Sequence, residues 1–296
     1  MSIFFSIIIP TFNRALLVGE AIASIVEQKN IPVEIIVIDD GGDDNTDIVV
    51  RDFNDSRVKY YKVENGERGA ARNFGLKISS GRYVNYFDSD DILNPVLTNL
   101  HDFIVANNNP PVIYGSIEQM ANGKSAGIIQ PYSPDFKASI IHNNFLACGG
   151  VFIRRDIAMR FSFSEKRALS GAEDWELWLR IYAYHDFLDC KMTIFKQREH
   201  VDRSLRDRNP DQAIARELCF AETIHEHRTV LLERFTLSEI NLLLADRFTL
   251  LALLHCEKKF RDEAVVVWKR SYKTSFRVLG RKRFWAVFRK LFFLWR

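Results

Sequence analysis

Four apolar, β-branched runs within the first ninety residues, with helical stretches between them, constrain this chain more than any other feature. Residues 3–9 are almost wholly apolar and read as a strand buried on both faces, the pattern of parallel sheets. Pro10-Thr11-Phe12-Asn13-Arg14 breaks the run. Residues 16–28 then carry Leu17, Ala21, Ile22 and Ile25 at helical spacing. Residues 33–38 form a second buried run, ended by Asp39-Asp40-Gly41-Gly42. A helix is expected over 46–53, a strand over 58–63, a helix over 69–78, and a strand over 83–87 that runs straight into Asp88. This alternation with short connections predicts the α/β class: an open, mostly parallel sheet with helices on both faces. Such sheets bind ligands outside the carboxyl ends of their strands, where strand order reverses. Residues 10–14, 39–44 and 88–91 are therefore expected to converge on one crevice.

Beyond residue 110 the pattern loosens. Strand-like pieces occur at 112–114 and 150–153, and an amphipathic helix at 173–184. From 211 to 276 the spacing is helical with no strand signal. A boundary near Arg208-Asn209-Pro210 divides a larger α/β domain, residues 1–208, from a helical region, residues 209–296. Charge divides the chain as well. The formal net charge is +3, but residues 268–296 hold ten Lys or Arg and no acid, which leaves −7 for residues 1–267. Cys148, Cys190, Cys219 and Cys256 are scattered, with no C-x-x-C pair, which suits neither a zinc site nor a disulfide framework and fits a reducing compartment. The N-terminus lacks a basic region and a cleavage site, and no run approaches the ~20 apolar residues of a spanning helix. A cytoplasmic protein lying against the membrane is expected.

Three constellations carry chemistry. Asp88-Ser89-Asp90-Asp91 follows a buried strand, and packed carboxylates repel one another unless a cation or hydrogen bonds offset the repulsion. Oxygen ligands of this kind suit Mg²⁺ or Mn²⁺. The competing reading makes Asp90 or Asp91 the cap of a helix over 92–103. Glu173-Asp174 opens the amphipathic helix, where a carboxylate is favoured by the helix dipole; lining the crevice, Asp174 would accept a proton from an acceptor hydroxyl. Asn65-Gly66-Glu67-Arg68-Gly69-Ala70-Ala71-Arg72-Asn73 sets two arginines beside a helix N-terminus, a combination suited to phosphate or ribose oxygens. Its spacing is neither a dinucleotide fingerprint nor a phosphate-binding P-loop. His200 lies in a polar stretch, Arg198-Glu199-His200-Val201-Asp202-Arg203-Ser204, where a surface role and a ligand role are both open.

Ile7-Ile8-Ile9-Pro10-Thr11-Phe12-Asn13-Arg14, Val37-Ile38-Asp39-Asp40-Gly41, Gly69-Ala70-Ala71-Arg72-Asn73, Asp88-Ser89-Asp90-Asp91 and Glu173-Asp174, in that order and spacing, resemble glycosyltransferase family 2, which has the GT-A fold. The likeness covers residues 3–205. It implies an inverting transfer from a nucleotide-diphosphate sugar, a UDP-sugar by preference, to a hydroxyl of a glycan or lipid-linked acceptor. By this match residues 1–110 bind the nucleotide sugar and 111–208 form the acceptor side. Pro10, Thr11, Phe12, Asn13 and Arg14 lie beside the base, Asp40 reads its polar edge, and Arg72, Asp88 and Ser89 complete the nucleotide pocket. Asp90 binds Mn²⁺ or Mg²⁺, His200 adds a metal or phosphate contact, and Asp174, with Glu173 beside it, is the catalytic base. The turn Gly41-Gly42-Asp43-Asp44-Asn45-Thr46 departs from the family's commoner small-residue turn, which leaves donor preference open. A nucleotidyltransferase or a non-catalytic nucleotide-sugar-binding protein would share parts of this pattern.

The basic tail, residues 268–296, interleaves cations with aromatics, and Phe284, Trp285, Phe288 and Phe292 fall at i, i+1, i+4 and i+8. This is the composition of a helix lying on an anionic membrane surface. The same helix packed on the protein is the bland alternative; nucleic acid is not an expected partner.

Overall fold

The computed structural model describes residues 2–130, 135–198 and 209–293. β1 (Phe5–Thr11), α1 (Ala15–Val26), β2 (Val33–Asp39), α2 (Thr46–Arg51), β3 (Val58–Lys62), α3 (Glu67–Ile78) and β4 (Tyr83–Tyr86) follow the alternation expected from the sequence. Then come β5 (Ile92–Leu93), α4 (Leu97–Ala106), β6 (Val112–Ala121), β7 (Lys124–Ile129), α5 (Phe136–His142), β8 (Val151–Arg154), the single turn α6 (Arg155–Ala158), α7 (Glu173–Tyr184) and β9 (Phe187–Arg198). The remainder is helical: α8 (Pro210–Glu226), α9 (Arg228–Leu231), α10 (Leu237–Glu257), α11 (Arg261–Thr274) and α12 (Lys282–Phe293).

The strands form one sheet in the order β3-β2-β1-β4-β8-β6-β9-β5, with β7 hydrogen-bonded to β6. The N-terminal part, β3-β2-β1-β4, is parallel throughout. Beyond β4 the sheet is mixed, since β8 runs antiparallel to both β4 and β6 while β9 is parallel to β6. Strand order reverses beside β1, with β2 on one side and β4 on the other.

Successive strand residues point to opposite faces. Phe5, Ile7 and Ile9 of β1 therefore join Val33, Ile35 and Val37 of β2 in a core with Val18, Ala21, Ile22 and Ile25 of α1 and Leu97, Leu100 and Ile104 of α4. Each such side chain contributes about 1.5–3 kcal/mol when fully buried. The other face receives α3. There Gly75 lies so close to the sheet that a Cβ would sit 2.4 Å from Ile8 Cγ2, so only glycine lets the helix approach. One polar residue is buried in the run that the sequence marks as a strand. Glu34, 1% exposed, accepts from Ser6 Oγ at 2.6 Å, Lys59 Nζ at 2.7 Å and Ser80 N at 2.6 Å. Burial pushes its carboxyl up, but these donors outweigh it and hold the group below the ordinary range.

The helix expected over 92–103 is not what forms. Residues 92–93 are β5, paired antiparallel with β9, and α4 starts only at Leu97. Asn94-Pro95 explains the shift, because proline disfavours helical backbone in the residue before it. Neither Asp90 nor Asp91 caps the helix, whose N-cap is Val96.

The chain divides into two compact units. The first, Met1–Pro134, Phe145–Glu165 and His185–Val201, holds the whole sheet. The second, Asp135–Asn144, Lys166–Tyr184 and Asp202–Arg296, is helical among the described residues. Its α7 is buried almost all round: Trp178, Leu179 and Ile181 are fully inside, as their spacing predicts, and Trp175 Nε1 donates to Ile140 O at 2.6 Å while its ring stacks on Phe220. α10 opens with a capping box, Thr236 and Glu239 bonding reciprocally. α12 lays Phe284, Val287 and Leu291 inward, with Trp268 of α11 stacked on Phe284. All four cysteines are free and buried. Among the described residues no helix is long and apolar enough to cross a membrane.

Candidate active site

The carboxyl ends of β1, β2 and β4 and the start of α3 meet in the first unit, and most of the residues singled out from the sequence lie there. The parallel register places Thr11 beside Asp39, and Asp40 N donates to Thr11 O at 2.9 Å. Asp40 itself is 5% exposed; its Oδ1 accepts from Gly66 N at 2.8 Å, which pins the turn into α3 against the end of β2. Asn65 Nδ2 also donates to Asp40 O, so the loop of the third constellation is tied to the second strand end.

The turn after β2 is braced by its own acids. Asp39 Oδ1 accepts from Gly42 N at 2.8 Å and Asp39 Oδ2 from Tyr60 Oη at 2.6 Å. Burial and the Asp39 carboxylate both push the Tyr60 phenol above its usual range, so it remains a donor. A Cβ on Gly42 would lie 2.7 Å from Asn13 Oδ1, and Gly41 has φ of 81°. The backbone of Gly41 thus calls for glycine, while a side chain at Gly42 would press on the Asn13 and Asp39 side chains that brace the turn. Asp44 caps α1 from across the crevice: its Oδ2 accepts from Ala15 N at 2.8 Å while Oδ1 accepts from Thr46 Oγ1. Slight burial raises its carboxyl, but these donors outweigh that and hold it below the ordinary range. Asn13, at φ of 51°, accepts from Asp43 N. Phe12 next to it is about half exposed, an aromatic face at the mouth of this turn.

The acidic cluster sits on the loop after β4. One oxygen from each of Asp88, Asp90 and Asp91 lies within 4.8 Å of the others. Hard oxygen donors this close fit a Mg²⁺- or Mn²⁺-sized cation. Each acid is held differently. Asp88 Oδ1 accepts from Arg72 Nη2 at 2.9 Å; the Arg72 side chain is 2% exposed, its guanidinium 5.1 Å from the centre of the Phe163 ring. Asp90 Oδ2 accepts from Arg14 Nη1 at 3.0 Å. Asp91 and Ser89 are buried, and Asp91 Oδ1 accepts from Arg198 N at 3.3 Å. Arg198 was not singled out as a site residue. Its Nε donates to Asp90 O at 2.7 Å and its guanidinium pairs with Glu20, so it fastens the acidic loop to β9. The only sequence signal was its place at the head of the polar stretch that contains His200. His200 lies outside the described residues.

Asp174 and Glu173 belong to the second unit, at the first turn of α7. Asp174 Oδ1 accepts from Asn144 Nδ2 at 3.0 Å and from Trp175 N at 2.7 Å, and the side chain is partly exposed. Glu173 is buried and its Oε2 accepts from Gly171 N at 2.6 Å, bracing the turn that precedes the helix.

The chain as a whole is similar to known proteins. Residues 6–160 match the family model described as Glycosyl transferase family 2. The chain is 32% identical over 178 residues to the Escherichia coli UDP-Glc:alpha-D-GlcNAc-diphosphoundecaprenol beta-1,3-glucosyltransferase WfgD, a match covering 60% of this chain and 68% of that protein. It spans about a third of the length of three uncharacterised glycosyltransferases that it also matches, from Rickettsia bellii, Rickettsia conorii and Rickettsia felis. Among solved structures it is similar to Staphylococcus aureus TarS 1–349 in complex with UDP-GlcNAc, with a TM-score of 0.65 at 20% identity over 86% of this chain and 73% of that one. The Pyrobaculum calidifontis mannosyltransferase PcManGT, in complex with GDP-Man and Mn²⁺, matches with a TM-score of 0.55 at 14% identity, over 100% of this chain and 89% of that one.

Proposed function

This chain belongs to glycosyl transferase family 2 and is a glycosyltransferase, and from that premise we propose that it moves a sugar from a UDP-sugar to a hydroxyl of a lipid-linked glycan, with inversion and with a divalent cation. The observation that carries the reading is the convergence of Asp40, Arg72, Asp88, Asp90 and Arg14 where strand order reverses beside β1. Pro10, Thr11, Phe12, Asn13 and Asp40 take the base, Phe12 offering its half-exposed ring. Arg72, Asp88 and Ser89 take the ribose and phosphate side. Asp90, with Asp91 nearby, is the ligand for Mn²⁺ or Mg²⁺. Bound there, such an ion supplies Lewis-acid neutralisation of the charge that develops on a leaving diphosphate. Asp174 is the base that takes the acceptor proton; its bonds to Asn144 and Trp175 N fix the carboxylate's orientation. The lipid-linked acceptor rests on the likeness to WfgD, which by its name acts on alpha-D-GlcNAc-diphosphoundecaprenol. Family membership sets aside the nucleotidyltransferase and non-catalytic readings.

A thermal-shift panel of UDP-, GDP-, dTDP- and CMP-sugars with Mn²⁺ tests the donor assignment. Stabilisation by UDP-sugars, removed by chelator, is the expected result. Stabilisation confined to a guanine nucleotide would replace uridine in the proposal. Transfer to a polyprenyl-diphosphate-linked sugar, with the new anomeric configuration read by NMR, tests acceptor class and inversion together.

The same reading places the protein on the cytoplasmic face of the membrane. The support is α12, although not through the four-aromatic face expected from the sequence. Phe284 is buried and Phe288 half-buried, because the inward stripe is Phe284, Val287 and Leu291. Trp285, Phe292 and Phe293 remain exposed beside Lys282 and Arg289, and Phe276 and Leu279 extend the apolar surface. This aromatic and basic flank suits an anionic lipid surface. Removing the helix would uncover its buried stripe, so surface substitutions are the cleaner probe. Trp285→Ser with Phe293→Ser should lower sedimentation with phosphatidylglycerol vesicles at least tenfold, since each exposed aromatic contributes about 1 kcal/mol at an interface. Equal sedimentation of the double variant and the parent would remove the membrane from this proposal.

A further inference from the structure

The three carboxylates of the acidic cluster are not equally free to receive a cation, and the difference lies in their arginines. Arg72 is fixed: its side chain is 2% exposed, it holds Asp88, and Phe163 lies under its guanidinium. Arg198 touches the cluster through its backbone N–H to Asp91 and its Nε to the Asp90 carbonyl, neither of which competes for the Asp90 carboxylate. Arg14 differs from both. It follows β1 on the short loop into α1, is its N-cap residue with non-helical backbone, keeps 26% of its side chain exposed, and donates straight to Asp90 Oδ2. It thus sits on an oxygen of the very carboxylate proposed for the ion.

We infer that Arg14 is an exchangeable counter-ion: it neutralises Asp90 until a divalent cation takes that carboxylate, and then turns to the donor's diphosphate. A guanidinium pairs as well with phosphate oxygens as with a carboxylate, so the side chain loses one anion and gains another. Its partial exposure and loop position leave it room to do so, which the buried Arg72 lacks. The consequence is coupling: metal alone must displace an ion pair, whereas metal with nucleoside diphosphate gives the displaced arginine a new partner, and linkage requires each to strengthen the other. The inference rests on the proposed role of Asp90 as metal ligand and assigns to Arg14 a positioning role beyond contact with the base.

The test is Mn²⁺ binding to the full chain, followed by the EPR signal of free Mn²⁺ with and without UDP, in the parent, Arg14→Gln, Arg14→Lys and Asp90→Asn. Arg14→Gln should bind Mn²⁺ alone about fivefold more tightly, the factor that corresponds to losing a partly exposed ion pair worth about 1 kcal/mol. It should also lose most of the tightening that UDP gives the parent. Arg14→Lys keeps the charge and should stay within twofold of the parent without UDP, which guards against a folding artefact. Loss of Mn²⁺ binding in Asp90→Asn, together with parent-like or weaker binding in Arg14→Gln, overturns the exchange alone. Unchanged binding in Asp90→Asn, or no binding by any form with UDP present, overturns the metal role of Asp90 and the exchange with it.

Discussion

Asp90→Asn should lower kcat/KM for sugar transfer by about 10²–10³-fold and leave the remaining activity indifferent to chelator, because the group that steadies a leaving anion acts chiefly in the transition state. The substitution is nearly isosteric and keeps an oxygen facing Arg14 Nη1. The pair it weakens is partly exposed, 26% on the arginine side and 13% on the aspartate side, so its loss should cost at most about 1 kcal/mol of stability. Unfolding then cannot account for an effect of about 2.7–4 kcal/mol on the barrier, the size that this rate loss represents. The contrast is Asp88, whose partner Arg72 is buried: Asp88→Asn should cost stability more heavily, roughly 1–3 kcal/mol, because the cation left behind has little access to water. Steady-state rates with added Mn²⁺ or Mg²⁺, set beside melting temperatures of both variants, separate the two. Near-parental turnover of Asp90→Asn in chelator would end the metal assignment.

The second large effect is expected at Asp174. Asp174→Asn should reduce kcat by about 10²–10⁴-fold, the usual contribution of a general base, while the affinity for donor nucleotide stays unchanged. Asparagine offers an oxygen in the same place, so the bonds from Asn144 Nδ2 and Trp175 N can persist and the first turn of α7 need not move. Glu173 distinguishes a catalytic effect from a scaffold effect in the same turn. It is buried and bonded to Gly171 N, so Glu173→Gln should act on stability before it acts on kcat. Parallel measurement of kcat, donor affinity and melting temperature decides this. A fully active Asp174→Asn enzyme would remove the base from its place in the proposal.

Most of the parallel part of the sheet was legible because β1, β2 and β4 are buried on both faces, and a run such as that in β1 has no other economical fold. The competing cap reading over residues 92–103 fails at Pro95, which keeps Asn94 out of helical backbone and delays α4 to Leu97. β7 left no signal because it is exposed along its length and pairs only with β6, so nothing forces its side chains to alternate. The parallel pairing of β9 with β6 was not legible, because it joins partners more than 70 residues apart. The site divides in the same way. Asp40, Arg72, Asp88, Asp90 and Arg14 stood out as charged residues at strand and helix ends. Arg198 did not, because its two contacts to the acidic loop, the backbone N–H to Asp91 and the Nε to the Asp90 carbonyl, arise only once β9 pairs with β5 beside that loop. The four aromatics of α12 do not share one outward face, because Phe284 joins Val287 and Leu291 in the inward stripe while Trp285 and Phe292 stay exposed.

The bracing of the turn after β2 has a thermodynamic consequence. Asp39 holds Gly42, Asp44 holds Ala15, Asn13 holds Asp43, and Lys62 Nζ donates to Gly42 O at 2.6 Å. These loops spend their conformational entropy during folding and have little left to lose when a ligand arrives. Discrimination among nucleotides at such a rigid rim then depends on shape and hydrogen-bond match, with little contribution from loop ordering. A calorimetric comparison of donors would show it as differences in enthalpy at nearly constant entropy.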